Sequence, residues 1–225
     1  MEKVLSLSAE LAQGLGITLA LFALTLVIAI PLGFLGSQVS LYAKNKFGRG
    51  IYNVYLIIMR GTPLILQVVF LFFGINLLLL PALGVPASVF RLGRFESALI
   101  SFVLNYTAYF SEIFRGGVQS LNRGQYEAAS VLGLSKGVTM RKIVVPQVFK
   151  IVMPSLGNEV ITLVKDTALV NIIALSDLLQ IAYSASTREV SILPLLVAAI
   201  FYLIINAVVS LVLKKIENRM DYYRI

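Results

Sequence analysis

The chain has 225 residues, 58% hydrophobic and 13% charged, with a mean hydropathy of +0.89. A soluble domain is about 45–50% apolar and about 25% charged, so a water-soluble single core is excluded. The formal charge of +8 lies in short loops and tails between apolar runs, which orients membrane proteins, unlike the basic stripe that binds nucleic acid.

Three runs carry no charge at all: Leu11–Ala43, Gly61–Phe90 and Val190–Leu213, of 33, 30 and 24 residues. About 20 helical residues cross a bilayer core, and backbone in lipid must satisfy its own hydrogen bonds, so the runs are helices. The spacing predicts an all-α membrane protein with about five spans: Leu11–Leu35, Pro63–Leu80, Glu96–Phe114, Pro154–Leu175 and Ile192–Leu213. The third and fourth are less apolar and are placed with the help of the loops. The first is taken as a retained span, because Glu2 and Glu10 offset Lys3 and no basic leader precedes it.

Lys and Arg set the orientation. Lys44, Lys46, Arg49 and Arg60 follow span one. Six more cations lie between Arg115 and Lys150, and Lys214, Lys215, Arg219 and Arg224 form the tail. With five spans these regions share one side and hold 14 of 19 cations. The tail is expected in the cytoplasm and the N-terminus outside. Pro63 is expected in the first turn of span two, a position that tolerates proline, leaving Arg60 as a cytoplasmic anchor. Glu112 and Arg115, three apart, are expected to pair at the base of span three. The 10 tyrosines and 13 phenylalanines form no motif and read as lipid-facing and belt residues.

The segment from Arg115 to Met153 is too long for a structureless loop. Asn122 with Gln125 three places on resembles a capping box, and Gly133 suits a helix C′ position. Ser135 can cap a second short helix running toward Pro146. The expectation is a helix pair lying on the cytoplasmic face.

Span four carries Asn158, Glu159, Thr162, Lys165 and Asp166. Charges at membrane depth face a bundle interior or water. Glu159 and Asp166, seven apart, share one face, and Asn158 with Lys165 repeats the relation on the next stripe. Gln67 on span two can donate and accept, which suits a ligand or an interhelical bond equally. There is no cysteine and no histidine, which removes thiol chemistry and the usual zinc and haem ligands. No nucleophile motif accompanies the charged residues, so no catalytic residue and no metal site is assigned. A Gly-rich phosphate loop of the Gly-x-x-x-x-Gly-Lys-Ser/Thr kind is also absent from the sequence.

Glu127-Ala128-Ala129, Gly133 after three residues, and Ile143-x-Val145-Pro146 after nine more resemble the EAA loop of ABC importer permeases, with Val145 where the pattern has Leu. Arg60-Gly61-Thr62-Pro63-Leu64 with Gln67, Ala108-Tyr109 with Glu112 to Gly116, Pro146-Gln147 and Lys165-Asp166-Thr167-Ala168-Leu169 are similar to the polar amino-acid uptake subfamily. The resemblance covers about Gly14 to Arg219. It implies a type I importer permease: one permease domain over 1–225 with a coupling loop at about 116–150, in the plasma (inner) membrane of a bacterium or archaeon. It further implies a second permease subunit (a like copy or a paralogue), cytosolic ABC ATPase subunits that hold ATP and Mg, and an extracytoplasmic solute-binding protein. No cofactor falls to this chain.

On that reading Glu127, Ala128, Ala129 and Gly133 dock into a groove of the ATPase, since small residues let a helix lie deep. Glu159, Asn158, Thr162 and Gln67 are the candidate substrate contacts. Glu159 either meets the cationic side chain of arginine, histidine or lysine, or pairs with Lys165 or an arginine as structural glue; glutamine is a further candidate substrate. Lys165, Asp166 and Arg60 are expected to be structural or gating. The competing function is an ion-coupled secondary transporter or channel, though no internal repeat supports one.

Overall fold

The computed structural model describes residues 2–86 and 91–220, all helix and short connections with no strand among them. Arg224 and the end of the Gly61–Phe90 run lie outside the described residues.

Helix α1, Glu2–Tyr42, buries Leu7, Leu11, Gly14, Thr18, Leu21, Thr25, Ala29 and Gly33 and exposes most of the rest. The three-and-four spacing makes one narrow stripe, and its small members let neighbours approach, which is how helices associate where lipid is as apolar as leucine. A Cβ on Gly33 would stand 2.5 Å from the Cβ of Phe110, and one on Gly14 would stand 2.6 Å from the backbone of Asp177.

Helix α2, Lys46–Gly61, is capped by Asn45, whose side chain accepts from the Phe47 amide. This is a correction: the stretch after span one is a helix, not a loop. Its apolar residues Phe47, Ile51, Val54 and Ile57 are more than half exposed, while Arg49, Asn53 and Arg60 line a cavity with Glu112, Arg115 and Gln119, so it has no long apolar run to betray it. After a break at Thr62 and Pro63, helix α3 runs over Leu64–Ala82, with a π-helical stretch at Phe70–Leu79.

Helix α4, Arg94–Ser120, is the central post. Helices α1, α2 and α3 and the long helix that begins at Lys136 all pack on it. Burial by protein explains why it is less apolar than a span facing lipid: Ser97, Ser101, Asn105, Tyr106 and Ser111 are all within its buried set.

The short helix α5, Arg123–Val131, follows. Helix α6 then extends over Lys136–Ile173, through a π turn at Met140–Val144 and a 3-10 end at Thr167–Ile173. The expected second surface helix is therefore not separate. It is the first turns of the fourth span, continued because Pro146 sits where its missing N–H is tolerated, at the start of the α-helical stretch. At Ala174, with φ +52°, the chain turns into α7, Leu178–Glu189, at 54° to α6. Asp177 caps α7 by accepting from the Gln180 amide at 2.9 Å. Helix α8, Leu193–Met220, is apolar and buries only Pro194, Val197 and Ala198.

By length and composition Ser6–Tyr42, Leu64–Ala82 and Leu193–Met220 can each cross a bilayer, and α6 with α7 supplies a fourth crossing if the bent pair is one span. The larger core joins α1, α3, α4 and α6 around Phe102, Phe110 and Phe114. A smaller one joins α1, α7 and α8 around Leu11, Leu178 and Ala182.

Candidate functional site: a charged cavity beside the central helix

The break between α2 and α3 lies against the middle of α4. Pro63 has no N–H and the turn frees carbonyls that need donors. Asn105 Nδ2 donates to the Met59 carbonyl at 2.8 Å, and Gln67 Nε2 donates to the same carbonyl and to Thr62 Oγ1, each at 2.9 Å. Asn105 also donates to Gln67 Oε1 at 3.2 Å. Two side-chain amides thus hold the open turn. Gln67 lines an apolar groove on the outer flank, with Leu66 and Phe70, and not the charged cavity.

That cavity, about 520 Å³, opens between the break, α4 and α6. Arg60 reaches it from α2, Tyr106 and Tyr109 from α4, and Glu159, Thr162 and Asp166 from α6. The predicted seven-residue stripe is real: Glu159, Thr162 and Asp166 face inward together. Asn158, one residue away and about 100° round the helix, faces a different cavity against Lys214 and Glu217 of α8. Lys165 is exposed on the flank toward Leu179 and Tyr202, so it does not pair with Glu159.

Asp166 accepts from the hydroxyl of Tyr106 at 2.7 Å, and Tyr106 is 1% exposed. Glu159 is half-buried, and its carboxylate has no hydrogen bond or salt bridge among the described residues. Thr162 donates to the Asn158 carbonyl at 3.0 Å. Tyr106 and Asn105 are not singled out by the sequence, and Tyr109 only as part of the Ala108-Tyr109 motif, because tyrosines read there as belt residues. The available signal was their spacing, three and four apart along a helix already marked by Ser97 and Ser101.

Arg60, expected as an anchor, also has partners within the fold. It stands at the break, its Nη1 3.2 Å from Glu112 Oε2 and its guanidinium 5.7 Å from the centre of the Tyr109 ring. The expected Glu112–Arg115 pair forms with both prongs, at 2.8 Å each. Below it lies a second cavity of about 720 Å³ with Arg49, Asn53 and Gln119 in its wall.

In the loop between α4 and α6, Asn122 accepts from the Gly124 amide at 2.9 Å. Gln125 completes no capping box; its carbonyl takes a long 3.5 Å contact from Gln147 instead. Gly133 has φ +68°, and the Leu134 amide reaches back to the Ala129 carbonyl at 3.0 Å, which closes the helix as a Schellman motif. Glu127, Ala128 and Gly133 are exposed and accompanied by Val131 and Leu132 at 88% and 74%. Ala129 is 2% exposed and packs inward, so its small size serves this chain's own packing and not a groove on a partner.

Residues 29–222 match the family model described as binding-protein-dependent transport system inner membrane component. The arginine transport system permease protein ArtQ of Bacillus subtilis is 34% identical over 92% of this chain and 91% of its own. The glutamine transport system permease protein GlnP of Escherichia coli K12 is 33% identical over 93% and 92%. A crystal structure of an amino acid ABC transporter with histidines superposes with a TM-score of 0.84 at 28% identity, covering 96% of this chain and 97% of that one. The MetNI methionine ABC transporter, inward facing, shares the fold at a TM-score of 0.72 and 17% identity.

Proposed function

We infer that this chain, which belongs to the family of binding-protein-dependent transport system inner membrane components, is the membrane-spanning subunit of an ATP-driven amino-acid importer. It holds the substrate pathway, and ATP with its Mg is bound and hydrolysed on separate cytosolic subunits, with a solute-binding protein delivering substrate from outside. Its exposed α5 and the turn at Gly133 are the contact with the ATPase. The whole chain is one permease domain, its tail cytoplasmic, pairing with a like copy or a paralogue. An ion-coupled secondary transporter or channel would belong to another class, and the family membership supports the ATP-driven reading instead.

The substrate is an amino acid with a cationic side chain. The observation that carries this is the free carboxylate of Glu159, held half-buried beside a second acid, Asp166, in a cavity of amino-acid size. Two carboxylates against the one guanidinium of Arg60 leave an excess of negative charge in a poorly solvated place, which an added cation offsets. Thr162 supports the same wall, whereas Asn158 and Gln67 act on packing. The test is uptake by the assembled transporter carrying Glu159→Gln. The preference for arginine over glutamine should fall by about tenfold or more, the size of one charge-assisted hydrogen bond; an unchanged preference refutes the assignment.

A further inference from the structure

We propose that Arg60 is the receptor for the substrate's α-carboxylate, and that a bound amino acid draws its guanidinium away from Glu112. The proposal rests on the cavity being the transport site, and it is separable from the role given to Glu159.

Arg60 occupies the last turn of α2, where the helix gives way to Thr62 and Pro63. It lines both the upper cavity and the larger one beneath, so it stands at their boundary. Its side chain is 42% exposed. A guanidinium offers five N–H donors in a planar fork suited to a carboxylate, and among the described residues Arg60 makes a single contact to an acid, Nη1 to Glu112 at 3.2 Å. Several donors are left for a ligand.

Glu112 can release Arg60 without being orphaned. Both of its oxygens are already bonded to Arg115 at 2.8 Å, and Arg115 is fixed in turn by Gln119, also at 2.8 Å. The pair is therefore asymmetric: the acid keeps a two-pronged partner while the arginine is free to exchange one carboxylate for another. Tyr109 supplies a ring face over which the guanidinium stays attracted as it moves.

The charge pattern of the cavity is complementary to such a ligand. The upper cavity presents two carboxylates, Glu159 and Asp166, and one guanidinium, Arg60. A cationic amino acid presents two cations and one carboxylate, the reverse set. When its carboxylate takes Arg60, the ion pair dividing the two cavities opens toward the cytoplasmic side.

The experiment measures binding to the assembled permease–ATPase complex without solute-binding protein, so that this chain's own selectivity is read. Radiolabelled arginine competes with agmatine, which lacks the carboxylate but carries more positive charge, and with glutamine. Wild type should hold arginine about tenfold or more tighter than agmatine. Arg60→Gln should bring arginine down to the level of agmatine or below it, with agmatine held as tightly as before or tighter because a like charge has gone; Arg60→Lys, which keeps charge and loses the fork, should fall between. Glu112→Gln should tighten arginine several-fold and spare agmatine, since the competitor for Arg60 is weakened. Equal binding of arginine and agmatine to wild type, which requires no variant to fold, overturns the proposal, and so does an undiminished ratio in Arg60→Gln or weakened arginine in Glu112→Gln. Failure of the Glu159 reading appears elsewhere, as glutamine matching arginine while the carboxylate ratio persists.

Discussion

Glu159 and Asn158 are adjacent in sequence and serve different walls. A polar stripe on a helix can be found by counting, because positions seven apart return to one face, but which stripe faces the cavity depends on the neighbours of α6. Here α4 and the α2–α3 break cover the Glu159 side and α8 covers the Asn158 side. Gln67 shows the same limit. Its residue type fits a ligand, yet the carbonyls freed by Pro63 claim its amide first. Replacing Gln67 by leucine should therefore lower the stability of the complex by about 1 kcal/mol, the net worth of its part-buried hydrogen bonds, since Asn105 still meets the Met59 carbonyl. Thermal unfolding in detergent would register this, while substrate affinity stays near wild type. A selective loss of affinity at unchanged stability would return Gln67 to the ligand.

Helices were legible where lipid faces them and obscured where protein does. α1, α3 and α8 show long apolar runs, whereas α4 is the most enclosed and among the less apolar, since serine, asparagine and tyrosine are tolerated where partners exist. α2 is hard to read from sequence because its exposed apolar residues are interrupted by Arg49, Asn53 and Arg60, which line a cavity beside α4. Two backbone positions test the element scale. Gly33 meets Phe110, which is fully buried and has its backbone 3.1 Å from the missing Cβ. Gly33→Val should force α1 and α4 apart, a cost of about 1–3 kcal/mol or more, seen as lower yield and melting temperature. Gly133, at φ +68°, closes α5. Gly133→Ala should cost about 1 kcal/mol locally and reduce ATP-driven uptake more than substrate binding, since the turn shapes the surface offered to the motor. Equal losses in binding and uptake would argue that the turn supports the fold as a whole.

At the scale of the whole molecule, orientation decides whether the cavity and the coupling helix can work together. The cation count predicts that α5 lies in the cytoplasm, and, with α6 and α7 as one span, the helix order then predicts the α7–α8 turn, with Val190 93% exposed, on the far side. The chain has no cysteine, so single cysteines report without background. Ala128→Cys should react with a membrane-impermeant thiol reagent only in inside-out vesicles, and should cross-link to a cysteine placed in the ATPase groove. Val190→Cys should react only in right-side-out cells. Ala129→Cys, one residue from the first probe but 2% exposed, should resist labelling from either side until the protein is unfolded. That contrast matters because accessibility alone could reflect a floppy loop: a rigid α5 docked by its Ala129 side separates two neighbours sharply, whereas a frayed segment labels both. Fast labelling of both positions would mean that α5 is not held against the body, and a motor gripping it could not transmit force to α4 and α6.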